Sequence, residues 1–321
     1  MITQTNINDV HLLESLFSSR AKINKDYLME LNSTALLQNY YIEACLAIPG
    51  QRTIDSPENS NIHWGWESPV CQLRGHFLGH FLSAAAMLVA TDNDAELKAK
   101  LNAIIDELEK CQKSNGGKWL APFSEKYFSK LESGEYIWSP QYTMHKLIMG
   151  LLHANIYAGN RKALSILGNL ADWYIKWTDR VLKSPVPEAI NRGEQGGMIE
   201  VWAELFNITG RPKFKTLADR YANPLIFKSL LEDKDPLTNA HQNASIPFIQ
   251  GSAKMYEVTG EKQYLEIVEK FWKCAVGERE TYCTGGQGSG EFWTPPHNAG
   301  QFIGERNQEL NYHCCWDIPL T

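Results

Sequence analysis

With 321 residues, 43% of them hydrophobic and 21% charged, the sequence has the make-up of a globular protein long enough for one large domain or two ordinary ones. A formal net charge of -6 argues against nucleic acid or anionic membrane as the main partner, because both are held by clustered Lys and Arg. Small neutral ligands stay open. No run approaches the roughly 18 apolar residues of a membrane span, and MITQTNINDVHLLESLF at the start has neither the basic nor the apolar region of a signal peptide. A soluble, cytoplasmic chain is the expectation. Its seven cysteines are odd in number and scattered, which suits reduced thiols better than a disulfide framework.

Residues 28–48 place apolar side chains every three or four positions without Gly or Pro, which predicts a helix. Residues 50–69 are polar, contain Pro57 and Pro69, and end in HWGWESP, so a loop is expected there that offers Trp64 and Trp66 to a surface or cleft. Helix resumes over 71–90, stops at Thr91-Asp92-Asn93-Asp94 and resumes over 96–112, which reads as a helical hairpin. Three more hairpins follow: 141–157 into 161–182, 196–207 into 211–226, and 246–257 into 261–276. Their turns, at Gly159, Gly210 and Gly260, recur about every 50 residues, as in stacked helical hairpins.

The expected fold is therefore all-α, an (α/α)6 toroid in which inner helices are wrapped by outer ones and their loops surround a cleft. A single domain over 1–321 is expected, with a helix and loop to residue 69, hairpins over 70–280, and a glycine-rich loop and atypical tail over 281–321. Four hairpins and one extra helix leave such a ring short by about one pair. Uncovered apolar edges would then favour a homodimer.

The glycine-rich stretch TGGQGSGEFW, Thr284 to Trp293, carries a carboxylate, Glu291, at its end, beside Phe292 and Trp293. Burial against aromatic surface would keep such an acid protonated for work near neutral pH; the alternative is a plain glycine-rich connection whose Glu is solvated. In RGHFLGHF, His76 and His80 stand four apart and share a helix face, as do Gly75 and Gly79. That spacing suits close helix packing or sugar hydrogen bonds, or else a metal. Arg74 is expected to pair with Glu67 or to face solvent. His145 lies just inside one helix start and His241 just before another, while Glu194 and Glu200 add carboxylates at a third. Gathered at one cleft, two acids and neutral donors suit glycoside hydrolysis or sugar epimerisation.

Five segments, WESPVCQLRGHFLGHFLSA, YTMHKLIMGLLHA, EQGGMIEVWAELFNITG, HQNASIPFIQGSAKMYEVTG and CTGGQGSGEFW, together resemble the β-L-arabinofuranosidase family, glycoside hydrolase family 127. The resemblance covers roughly residues 10–309 in the family's order. It implies an (α/α)6 barrel and retaining hydrolysis of arabinofuranosides or similar sugars. It also implies a cysteine thiolate nucleophile held by zinc, with a glutamate and other cysteines as ligands. On the matching positions Glu291 is the acid/base, His145 and His241 hydrogen-bond the sugar, and Glu309 binds zinc. Trp66, His76, His80, Glu194 and Trp293 are further candidates for contact with a carbohydrate.

The pattern breaks near the end of the sequence. Asn311 stands where the family has a zinc-binding cysteine, and Cys314-Cys315 comes too early to be the family's adjacent pair. Either that pair is a coincidence or it rebuilds a metal site with Glu309. Two rival readings stay open: a carbohydrate-binding chain that hydrolyses nothing, and a sugar epimerase that uses His145 and His241 as acid and base.

Overall fold

The structure is a computed structural model that describes residues 7–50, 62–192, 194–222, 224–279 and 290–302. Glu309, Asn311, Cys314 and Cys315 lie outside the described residues, as do residues 284–289 of the glycine-rich stretch. The chain divides into two compact units, 1–186 and 187–321. Regular structure among the described residues is helical throughout, apart from one isolated antiparallel bridge, His241 to Phe292. The all-α expectation holds.

In the first unit, the single helix expected over 28–48 is two helices, α1 (Leu16–Glu30) and α2 (Ser33–Glu43). Asn32 divides them, because its side-chain oxygen accepts from the Thr34 and Ala35 amides at 2.9 and 3.1 Å and so starts a new helix. The carbonyls left open at the end of α1 are met by Lys100, whose ammonium donates to those of Leu28 and Met29, both at 2.9 Å. The next helix, α3 (His76–Asp92), starts five residues later than the sequence pattern suggests, since Gly75 sits in the left-handed region at φ 87°. Asp94 then caps α4 (Ala95–Ser114), accepting from the Leu97 amide at 2.8 Å.

A short helix unforeseen in the sequence, α5 (Lys126–Glu132), buries Phe128 among Trp173 and Trp177 of the later hairpin, with ring centroids 5.0 and 4.9 Å apart. Edge-to-face pairs of this kind add about 1 kcal/mol each beyond the area they bury. That hairpin is α6 (Pro140–Ala158) and α7 (Arg161–Leu182), turned by Gly159 at φ 70° and capped by Asn160, as the periodicity predicts. Where α3 meets α6 the backbones nearly touch. A Cβ on Gly79 would stand 2.2 Å from the Lys146 carbonyl oxygen, and one on Gly150 would stand 2.8 Å from the Leu82 Cβ. Residue 79 meets 146 and residue 82 meets 150, so the two helices run parallel and begin at the same end.

The second unit repeats the device. Its helices are α8 (Gly197–Thr209), α9 (Pro212–Tyr221), α10 (Leu225–Leu231), α11 (Gln242–Thr259) and α12 (Lys262–Trp272). Gly210 and Gly260, at φ 64° and 72°, turn the two hairpins. The helix expected to run to 226 ends at Tyr221, and α10 starts afresh after Pro224, which cannot donate its backbone nitrogen to a continuing helix. A Cβ on Gly251 would meet that of Ile199 at 2.5 Å, and one on Gly196 would meet the Phe248 nitrogen at 2.9 Å. Residue 196 therefore faces 248 and residue 199 faces 251. α8 and α11 are parallel, like α3 and α6.

Candidate active site

In the second unit the structure brings together two residues singled out in the sequence, His241 and Glu291. His241 is the N-cap of α11, and its Nδ1 accepts from the Ala244 amide at 3.2 Å. In the neutral ring the proton must then sit on Nε2, which lies 3.3 Å from Glu291 Oε2 and donates to it. The backbones are also paired: the Gln242 amide donates to the Glu291 carbonyl at 2.8 Å, and the Trp293 amide to that of Ala240 at 3.0 Å. This two-way pairing fixes which residue faces which.

Of the two environments the sequence leaves open for Glu291, the structure favours the more solvated one, for its side chain is 46% exposed. Trp293 turns the other way. Only 1% of it is exposed, its indole N–H donates to Ser245 Oγ at 2.8 Å, and it packs on Phe271 with centroids 5.9 Å apart. It supports residues 290–294 from inside, and the aromatic open to solvent beside Glu291 is Phe292, which stands edge-on to the His241 ring at 5.5 Å. Glu194, ahead of α8, has a left-handed backbone at φ 56°, a strained state for a residue with a Cβ. Glu200 lies on α8 itself.

In the first unit, Trp66, His76 and His80 form a second cluster at the shared starting end of α3 and α6. Trp64 and Trp66 are each 65% exposed, yet the turn that carries them is firmly held. Buried Gln38 donates to the His63 and Glu67 carbonyls at 2.7 and 2.9 Å and accepts from the His63 amide at 2.8 Å. Glu67 then takes the Gly75 and Phe77 amides at 2.6 and 3.0 Å and pairs with His76 Nδ1 at 2.8 Å. Burial pushes the Glu67 carboxyl up, but the His76 and amide hydrogen bonds outweigh it and hold it below the usual carboxylate range. Arg74 does not pair with Glu67. It donates to the Pro122 and Cys71 carbonyls and to Tyr127, at 2.8 to 2.9 Å.

The His76 ring lies 6.2 Å from Trp66, 6.0 Å from His80 and 6.1 Å from Tyr142, over which the Lys146 ammonium stands at 4.8 Å. His145, one residue before Lys146, is 7% exposed, and its Nε2 has no hydrogen-bond partner among the described residues. Burial, and then the nearby Lys146 charge, hold its ring well below the usual histidine range, so it is neutral. Glu67, Gln38, Tyr142 and Phe292 were missed as site residues in the sequence. Gln38 and Asn39 could have been found, since two amides inside an otherwise apolar helix must satisfy something buried.

No group of three or more His, Cys, Asp or Glu among the described residues could hold a metal. Cys45, Cys71, Cys111 and Cys274 are free thiols. The zinc implied by the resemblance therefore finds no ligand set in these residues. No helix among the described residues is long and apolar enough to cross a membrane.

Each unit thus pairs parallel helices through hairpins and sets a carboxylate beside an imidazole at their starting ends. The model of the family described as beta-L-arabinofuranosidase, GH127 catalytic domain, matches residues 9–313, and the chain belongs to that family. Similar solved structures include a GH127 beta-L-arabinofuranosidase from Geobacillus stearothermophilus T6, at 15% identity with a TM-score of 0.57 over 88% of this chain and 47% of that one. A GH127 beta-arabinofuranosidase matches at 15% identity and TM-score 0.55, over 88% and 45% of the two chains. A structure titled only as a glycoside hydrolase matches at 16% and 0.54, over 89% and 39%. The helical toroid class of these enzymes is the fold class of this chain, which spans less than half the length of each. No protein of curated function matches it.

Proposed function

We propose that the chain is a glycoside hydrolase module for β-L-arabinofuranosides or similar sugars, in which Glu291 is the general acid/base. The observation that carries this reading is the hydrogen bond from His241 Nε2–H to Glu291 Oε2, 3.3 Å long, on a carboxylate open to an incoming substrate. The bond divides the work between the two oxygens. With Oε2 accepting from His241, the other oxygen can carry the proton that passes to the leaving glycosidic oxygen, and the carboxylate left behind can then take a proton from water. Family membership and the matching position of Glu291 in GEFW support the assignment, as does the retaining mechanism that the resemblance implies.

The test is the leaving-group dependence of Glu291→Gln. Loss of the acid should lower turnover of a substrate with a poor leaving group by about 100-fold or more. An aryl arabinofuranoside with an activated leaving group should be cleaved far less slowly. Equal turnover by the variant and the parent on the poor leaving group would remove Glu291 from the reaction.

A second reading, binding without hydrolysis, is favoured by the two exposed tryptophans on a firmly held turn, because exposed indole on rigid backbone suits stacking against sugar rings. Titration of arabino-oligosaccharides into the parent chain, with turnover followed in the same samples, separates the two. Binding with no released sugar selects the second reading.

A further inference from the structure

We infer that Arg279 is a positioning residue that sets the register between Glu291 and His241; the inference rests on the reading of Glu291 as the acid/base. The Arg279 side chain is fully buried and its planar fork is used in every direction. Nε donates to the Thr294 carbonyl at 2.8 Å and Nη1 to that of Cys274. Nη2 reaches Asp235 Oδ2 at 2.7 Å and Thr238 Oγ1 at 3.2 Å. The guanidinium also lies 5.9 Å from the Trp293 ring.

These partners belong to three separate pieces of chain. Cys274 is in the turn that follows α12, Asp235 and Thr238 begin the stretch that ends in His241, and Thr294 lies three residues beyond Glu291. Between the last two pieces, the Asn239 and Trp293 amides donate to the Trp293 and Ala240 carbonyls, both at 3.0 Å. One buried fork thus joins the two pieces that deliver the acid and its imidazole donor, through the Thr294 carbonyl on one and the Asp235 and Thr238 side chains on the other, while touching neither Glu291 nor His241. Asp235 is itself fixed, accepting from the Leu237 amide at 2.9 Å and from Thr238 Oγ1 at 2.8 Å.

Stability alone is a poor reason for this arrangement, since an apolar replacement of a buried ion pair is often neutral or better. Geometry is a better one. A guanidinium offers donors at fixed angles to several acceptors at once, whereas a lysine ammonium is a single point on a flexible stem. Arg279→Lys keeps the charge and loses the fork.

The experiment is nitrogen-15 NMR of the His241 ring in the full chain, in parent and Arg279→Lys backgrounds, each with and without Glu291→Gln. In the parent, His241 should show the Nε2–H tautomer, and Glu291→Gln should shift the Nε2 resonance. In folded Arg279→Lys the tautomers should average and the response to Glu291→Gln should vanish. Where hydrolysis is measurable, kcat should fall about tenfold or more at an unchanged KM. An unaltered tautomer and an unaltered response in folded Arg279→Lys would overturn the inference. Should that variant not fold, Asp235→Asn loosens the same grip more gently and is read in the same way. Loss of fold in both would make Arg279 a residue of stability alone and also overturn it. The NMR readout needs no turnover, so a chain without hydrolase activity would sink the acid/base reading and leave the positioning claim to its own result.

Discussion

Trp66 shows how much rigid backbone lies beneath one exposed side chain. Its turn is held by Gln38, Asn39 and Glu67, and Asn39 Nδ2 donates to the Glu67 carbonyl at 2.8 Å. Little conformational entropy remains to be lost when a ligand stacks on the ring. Trp66→Ala should therefore weaken binding of an arabino-oligosaccharide by about tenfold, the order expected when a preformed aromatic contact is removed. Stability should barely move, since the ring is mostly open to water. Quenching of tryptophan fluorescence during titration, beside a denaturant curve, measures both. At this scale the sequence was only partly legible. Glu291 and His241 stood out by type and by neighbours, but their pairing depends on an antiparallel bridge between residues about 50 positions apart, and no local pattern announces one. Arg279 was invisible for the same reason, because its acceptors lie on different pieces of chain.

Glycine does two different jobs in these helices, and substitution should tell them apart. Gly159 turns a hairpin at φ 70° with nothing near enough to touch an added Cβ, so Gly159→Ala should cost about 1 kcal/mol of backbone strain. Gly79 has an ordinary helical backbone but no space, and Gly79→Ala must push α3 away from α6, at a cost of about 3 kcal/mol. Urea denaturation of both variants checks the order of the two costs. The turn glycines were readable because each follows a run of helical periodicity, and the hairpins they predict are present. The Gly79 contact was readable as small-residue packing. The break at Asn32 was missed because a polar residue inside an apolar run can face solvent or cap a new helix, and the run alone does not say which.

For the molecule as a whole, buried neutral histidines set the behaviour in acid. Burial pulls His153 down to about 4, and it holds His145 well below the usual histidine range. Unfolded, both rings titrate near pH 6.5. Between that pH and about 4 the unfolded chain binds protons that the folded chain refuses, so stability is full above pH 6.5 and is lost as pH falls. Each ring should contribute a slope of up to about 1.4 kcal/mol per pH unit in this window. Denaturant midpoints at pH 7.5, 6 and 5 should fall in that order, and His153→Gln should flatten the fall. Below about pH 4.5 the paired carboxylates of Glu67 and Asp235, both held below their usual range, add losses of the same sign.

The meeting of α3 with α6 also limits how the chain can change its length. Each residue advances a helix by about 100°, so deleting one residue between Gly79 and Leu82 would swing the rest of α3 by that angle. Leu82 would leave Gly150, and Ser83 would take its place with far less apolar surface to pack against the glycine. An insertion in α6 between Lys146 and Gly150 would do the same from the other side. Added or lost residues in this unit should therefore be tolerated best in the connections, such as the mostly exposed residues 133–136 between α5 and α6, where a change of length alters a turn and leaves the helix contact in register.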